Sequence, residues 1–362
     1  MPRIDPSAQR LSTQHLVEPK FEKASDVVSL LGAVQAQDYA MSKWALGQRM
    51  RSATESSVEN EINSGAILRT HVLRPTWHYV APADIRWMLA LTGPRVKAIL
   101  AHYDRQLGID AAVIRKAQKV MAKALRGEKH LTRGELAEVM KKAGIRTDGT
   151  ERLARLVMHA EMDALICSGP RRGKQFTYAL MDERVPPAKA MARDASLHKL
   201  ASIYFATRGP ATEADFAWWS GLTMADARGA IQSLGSSVDT VEIGGRKHSL
   251  VARTTMKVKS PLVRLLPNYD EFFIGLKDRS AMHAKLERLG IQTAIGALSG
   301  HILIIDGQIA GGWKQVFKPK SVLVKIKLLR PLSGTQQRAV DVETARLAAF
   351  FGLTPKLDIA QG

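Results

Sequence analysis

The sequence predicts a mainly helical protein with β wings, built as tandem winged-helix units followed by a small C-terminal α+β module. Two observations carry this expectation. A pattern of three short amphipathic helices followed by a β-hairpin recurs along the chain. Lys plus Arg number 53 against 34 acidic residues, a net charge of +19, which suits a polyanionic partner such as duplex DNA. A chain of 362 residues exceeds one compact core, and four parts are expected: units over 1–105, 106–188 and 189–258, and the α+β module over 259–362.

In the first unit Val27, Leu30, Leu31 and Val34 form an apolar stripe at helical spacing. A short helix is expected near Trp44–Met50, and Ser56 with Glu59 can cap another that runs through Ile62. Ile67–Val80 reads as strand, interrupted at Pro75, and Ala83 to about His102 as a helix packed across the unit. The second unit is clearer. Asp110–Leu125 is helical, Thr132 and Glu135 form a capping box for a helix that stops at Gly144, and Thr150 opens a third helix to Ile166. Ser168–Lys174 is then a turn and Gln175–Leu180 a strand. After Pro186-Pro187 the order returns: Ala195–Thr207, a helix pair Ala211–Ser220 and Thr223–Leu234 around Gly221, and strands Val238–Ile243 and His248–Val251 about Gly244-Gly245-Arg246-Lys247. The tail is strand-rich over Val263–Gly275, Ile302–Trp313 and Ser321–Leu329, with a hairpin turn at Asp306-Gly307. Thr335–Phe351 is a closing helix.

Several function classes are disfavoured. No apolar run has the length of a bilayer span, and Met1–Arg10 lacks the apolar core of a signal peptide, so a cytoplasmic, nucleoid-associated protein is expected. The single Cys167 lies in an apolar run and reads as a small buried hydrophobe. No His-x-x-x-His, Cys-x-x-Cys or Asp-x-Asp spacing occurs, so neither metal nor cofactor is expected.

In a winged helix the third helix enters the major groove and the wing lies over phosphates or the minor groove. Arg152, Arg155 and His159 share one face of the second unit's third helix, and Arg171, Arg172 and Lys174 sit at its wing tip. Arg228, Arg246 and Lys247 occupy comparable places in the third unit. All nine are candidate DNA contacts, each equally readable as solvated surface charge.

One polar constellation lies near the N-terminus. Gln35 and Gln37 are two apart, and such residues share a side only in extended chain. They converge only if the preceding helix ends near them; helix capping and loop hydrogen bonding are the structural alternative. Asp38 is the adjacent carboxylate. His71 and His78 flank Pro75 and read either as orienting a phosphate or water, or as satisfied structural histidines. Asp270 and Glu271 read either as a general base or, preferably, as partners of Arg279 and Lys277 in a buried ion pair.

Four segments carry a family resemblance: Leu31–Asp38 (LGAVQAQD), Leu68–Val80 (LRTHVLRPTWHYV), Leu266–Arg279 (LPNYDEFFIGLKDR) and Ile305–Trp313 (IDGQIAGGW). Together they resemble the winged-helix family that contains the azinomycin-resistance glycosylase AlkZ and bacterial interstrand-crosslink glycosylases. The resemblance implies tandem winged helices forming a concave basic surface for alkylated DNA, and a catalytic Gln-hydrophobic-Gln motif that Gln35-Ala36-Gln37 matches. It implies a DNA glycosylase, here expected to act on N7- or N3-alkylated and also cross-linked purines. No lysine stands between Gln35 and Ser42, Lys43 lying just beyond, which predicts a monofunctional enzyme, and no long heptad occurs, which favours a monomer. A non-catalytic DNA-binding regulator is the alternative. A metal-dependent nuclease using Asp270, Glu271 and Asp306 ranks below both.

Overall fold

The computed structural model describes residues 4–251, 253, 258–288 and 300–361. Helix α1 (Pro6–Thr13) is capped by Asp5, whose carboxylate accepts from the Ser7 and Ala8 N–H groups. Then come α2 (Ala24–Leu31), β1 (Ala33–Gln35), α3 (Tyr39–Gly47), α4 (Glu55–Ser64), β2 (Leu68–His71) and β3 (Trp77–Val80). A 25-residue helix, α5 (Pro82–Gln106), leads into α6 (Ala111–Leu125), β4 (Leu131–Thr132), α7 (Arg133–Lys142), α8 (Thr150–Met162), β5 (Ile166–Ser168) and β6 (Thr177–Leu180). The short α9 (Met181–Arg184) precedes α10 (Arg193–Arg208), α11 (Glu213–Ser220), α12 (Met224–Leu234), β7 (Asp239–Ile243) and β8 (Arg246–Leu250). The remainder is β9 (Val263–Leu266), α13 (Glu271–Ile274), α14 (Ser280–Arg288), β10 (His301–Ile305), β11 (Gln308–Lys318), β12 (Ser321–Leu328), α15 (Gly334–Phe350) and β13 (Thr354–Gln361).

The expected mixture of helices and small wings is what forms. Two three-stranded sheets run β1-β3-β2 and β4-β6-β5. In both, the strand before the second helix pairs with the last strand of the hairpin. In the third helix set that first strand shrinks to a bridge between Ala211 and Ser249 of β8. Local chemistry explains these elements. Thr132 and Glu135 cap α7 reciprocally: the Glu135 N–H donates to Thr132 Oγ1 at 3.2 Å, and the Thr132 N–H to Glu135 Oε2 at 2.7 Å. Gly244 and Gly245 both take positive φ, 58° and 73°, as a two-residue hairpin turn requires.

Several boundaries differ from expectation: α3 spans Tyr39–Gly47 instead of Trp44–Met50, and the strand expected over Val263–Gly275 ends at Leu266 and gives way to α13. Helix α2 stops at Leu31, and Gly32 (φ 75°) turns the chain so that Val34 joins a strand. Thr54, not Ser56, caps α4, with Ser57 returning the bond. Helix α8 stops at Met162 because Ala164 takes a left-handed φ of 54°, turning the chain toward β5. The stretch 67–80 is a hairpin, broken by residues 72–76 around Pro75.

The C-terminal sheet has the order β13-β12-β11-β10-β9. Its first four strands in sequence pair antiparallel, and β13 returns parallel to β12 after α15. One face packs on the first unit: Val263, Leu265, Trp313 and Val324 share a core with Val27, Leu31, Trp44 and Tyr79. A second core joins α5 and α10–α12 to Phe272, Ile302 and Ile304, while α6–α8 close over their own. Cys167 is fully buried, and burial pushes its thiol up to about 12.

Candidate active site

The site grows from β1, an edge strand that pairs antiparallel with β3, with Gln35 opposite His78. The Ala36 N–H donates to Trp77 O at 2.7 Å, so the extended pairing continues past the strand. Side chains alternate along it. Val34 and Ala36 enter the core with Trp44 and Tyr79, which leaves Gln35 and Gln37 on the other face. Helix α2 ends before the pair, as convergence requires.

The two amides differ in setting. Gln35 is 5% exposed, and its Oε1 accepts from Arg74 Nη2 at 3.0 Å. Gln37 is exposed, and its Oε1 meets the Trp77 N–H at a long 3.4 Å. Arg74 stands in the 72–76 loop, where Leu73 has a left-handed φ of 64° and its N–H donates to Thr92 Oγ1. The Arg74 guanidinium lies 5.4 Å from the ring centre of Trp218 on α11.

Behind this face, Gln35, His78 and Thr70 form one row across β1, β3 and β2. His78 is fully buried, and its Nδ1 shares a hydrogen bond of 2.9 Å with Thr76 O. Its Nε2 and Thr70 Oγ1 are buried without partners. Burial, then Arg74, push the His78 pKa well below its ordinary value, so it is neutral at pH 7. His71 lies 2.6 Å from the buried Glu161 through Nδ1 and stacks on Trp77 at 3.9 Å. Burial raises the Glu161 pKa, opposed by His71 and Arg69.

The carboxylates near the glutamines are engaged. Asp38 caps α3 through the Met41 N–H. Asp270 takes both Arg49 nitrogens, at 2.8 and 2.9 Å, and both residues are sealed from solvent. Glu271 Oε2 accepts from Arg208 Nη2 at 2.6 Å and Trp219 Nε1 at 2.9 Å, while Oε1 accepts the Gln35 N–H at 2.9 Å. Buried ion pairs form as expected, but with Arg49 and Arg208 instead of Arg279 and Lys277. The reason is long-range: the turn after α3 and the end of α10 bring those two arginines into the core.

A profile of the family described as "DNA glycosylase AlkZ-like" matches residues 28–350. The chain belongs to the AlkZ-like family. A curated relative, the interstrand DNA cross-link repair glycosylase of Streptomyces sahachiroi, is 24% identical over 366 residues, covering 96% of each chain. The solved structure of Streptomyces sahachiroi DNA glycosylase AlkZ superposes with a TM-score of 0.80 at 22% identity, covering 99% of this chain and 98% of that one. Membership in the AlkZ-like family supports DNA binding and a DNA-repair function of glycosylase type in general terms. No helix among the described residues is long and apolar enough to cross a membrane.

Seen in this AlkZ-like chain, the basic residues chosen from sequence divide. Arg152, Arg155 and His159 are buried and do not form an open face. Arg155 and His159 both bind Asp104 of α5, at 2.6 and 3.0 Å, and Arg152 donates to Arg146 O and Leu107 O. They dock α8 on α5. Arg171 lies half-buried over Tyr39 (4.8 Å) and Phe176 (5.0 Å). Arg172 is exposed and pairs with Glu135, Arg228 with Glu213 and Arg246 with Asp278. Lys174 and Lys247 are exposed. Sequence reasoning overlooked Arg74 beside Gln35 and Trp218 beneath Arg74, although the interruption at Pro75 signalled a loop there. It also overlooked Arg69, which donates to Ala36 O and stacks on Trp77 at 4.1 Å. Among the described residues no cluster of His, Cys, Asp or Glu could hold a metal ion.

Proposed function

We propose that this chain is a monofunctional DNA glycosylase, acting as a monomer on N7- or N3-alkylated purines in duplex DNA. The observation that carries the reading is the shared face of Gln35 and Gln37, with Gln35 clamped by Arg74 and Gln37 open to solvent. An N7-alkylated purine is already cationic, so its C1′–N9 bond breaks with the electron pair neutralising the ring, and no acid is needed. What remains is to orient a water toward C1′ and to offset positive charge on the sugar. The Gln37 carbonyl accepts a hydrogen bond from that water, aiming its lone pair at C1′, and its dipole faces the oxocarbenium-like sugar. Gln35, its oxygen held by Arg74, turns its NH2 outward as a donor to an oxygen of the target nucleotide. The water oxygen bonds to C1′, its proton goes to solvent, and the base departs neutral.

Lys43 is the lysine nearest the glutamine loop, and it is buried against Glu55 and Glu59. It is therefore withheld from Schiff-base chemistry, which supports an abasic product without strand cleavage. The name of the Streptomyces relative extends the substrate class to purines in interstrand cross-links.

The test is release of free base from duplex DNA containing 7-methylguanine. Gln37→Ala is expected to slow release by about 10²–10³-fold while stability changes by less than about 0.5 kcal/mol, as for an exposed side chain. Gln35→Ala lowers both, because it strips Arg74 of its bond. Equal release by wild type and Gln37→Ala removes Gln37 from the mechanism. No release by the wild type leaves a non-catalytic DNA-binding protein.

A further inference from the structure

Among the described residues no carboxylate forms an ion pair with Arg74. Its Nη2 meets the neutral Gln35 oxygen, and its Nε is buried without a partner. The carboxylate that attracts it, Glu271, is already held by Arg208, Trp219 and the Gln35 N–H. Arg279 is placed similarly. Its Nε donates to Phe273 O at 3.1 Å, and its guanidinium lies 4.3 Å from the Phe273 ring centre. Asp215, the carboxylate that attracts Arg279, accepts from the Lys277 and Asp278 N–H groups and from Thr212. Burial first, and then Arg74, lower the pKa of Arg279. Trp218 connects them: Arg74 lies over its ring, and its Nε1 donates to Ile274 O, next along the chain from the carbonyl that holds Arg279.

Four other sheltered arginines sit on carboxylates, Arg49 on Asp270, Arg208 on Glu271, Arg155 on Asp104 and Arg264 on Glu343, while the buried Arg10, Arg69 and Arg152 give their N–H groups to backbone carbonyls. Two half-buried like charges with no anion between them are unfavourable until one arrives. A phosphodiester supplies a single charge with oxygens in the plane that a guanidinium fork matches.

We propose that Arg74 and Arg279, with Trp218 supporting the Arg74 guanidinium, bind one backbone phosphate of the lesion-bearing strand, beside the nucleotide whose sugar faces Gln35 and Gln37. The placement beside the target nucleotide rests on the glycosylase reading; the phosphate site itself does not. Binding there also sets the catalytic face, because Arg74 then holds a phosphate with one edge and the Gln35 amide with the other.

The experiment measures binding by fluorescence anisotropy on a duplex with one 2′-fluoro-stabilised 7-methylguanine. Neutral methylphosphonates replace the surrounding phosphates one at a time. One position is expected to weaken wild-type binding by roughly 10–100-fold, the range of a charge-assisted contact. The R74Q/R279Q variant, checked for an unchanged circular-dichroism spectrum, should bind the unmodified duplex correspondingly weakly and show no penalty at that position. Its slope of log K against log salt should be shallower by about 0.9, the loss of one phosphate contact. Should the glutamines disturb folding, R74K/R279K serves instead: it keeps the slope and loses only part of the positional penalty. Penalties equal in wild type and variant at every position, a flat wild-type profile included, overturn the proposal. Base release is scored separately. A variant-sensitive phosphate with no base release sinks the glycosylase reading alone, and release with variant-insensitive penalties sinks the phosphate site alone.

Discussion

Replacing Glu271 by glutamine separates a structural carboxylate from a chemical one. In the wild type one carboxylate serves β1, α10 and α11 together, accepting from the Gln35 N–H, from Arg208 and from Trp219. Glutamine keeps the shape but carries one NH2 where two oxygens accept, so a donor faces a donor whichever way it sits. It also leaves Arg208 buried without its counter-charge. Breaking a buried pair on one side costs about 3–5 kcal/mol. The lower end applies, because Arg208 also donates to Leu31 O, Ala33 O and Thr207 Oγ1. Unfolding entropy of about 2.1 cal/mol/K per residue, taken over 362 residues, converts about 3 kcal/mol into a fall in Tm of about 4 °C. Differential scanning calorimetry reads this directly. Base release, measured well below the transition, should fall less than for Gln37→Ala. A variant with native Tm and no activity would refute this account, since it would make Glu271 a participant in the chemistry.

Two further outcomes are expected. The folded-state pKa of His78 lies below its unfolded value, so its contribution to stability is full above pH 6.5 and is lost as pH falls toward the folded-state pKa. Unfolding free energy should therefore drop below pH 6.5 by up to about 1.4 kcal/mol per pH unit for this one proton; His78→Gln should flatten the profile there, and an unchanged slope would show that other groups carry it. At Gly221 (φ 70°) an added Cβ would stand 2.1 Å from Leu73 O, so Gly221→Ala must displace the loop that carries Arg74. It should lower Tm and slow base release together, and a variant with native rates would show that the loop tolerates the shift.

How much was legible in the sequence follows from the range of the interactions involved. The capping box at Thr132 and Glu135 is set by neighbours in sequence and formed where expected, and a wing turn forms at Gly244-Gly245, although Arg246 and Lys247 join β8 instead of the turn. The first unit was harder. Leu30, Leu31 and Val34 fit a helix as well as they fit a helix followed by a three-residue strand, and only Gly32, in the position of a helix terminator, signals the break. Identity and orientation also part company. Arg155 and His159 do share a helix face, but only the fold brings Asp104 of α5 against it. Asp270 and Glu271 were read as ion-paired from their type, while their partners lie 221 and 63 residues away, beyond any local pattern. Arg74 drew no notice because its role depends on Gln35 and Trp218, which arrive from other parts of the chain.

The Arg208–Glu271 pair has one more effect, on assembly. Its outermost atoms take the Ala33 carbonyl and the Gln35 N–H, the two groups that β1 turns away from β3 and that an incoming polypeptide would use for pairing. An open sheet margin is a template for adding strands and hence for aggregation. Here a salt link occupies that margin as a neighbouring strand would, so the segment bearing the two glutamines stays closed to other chains.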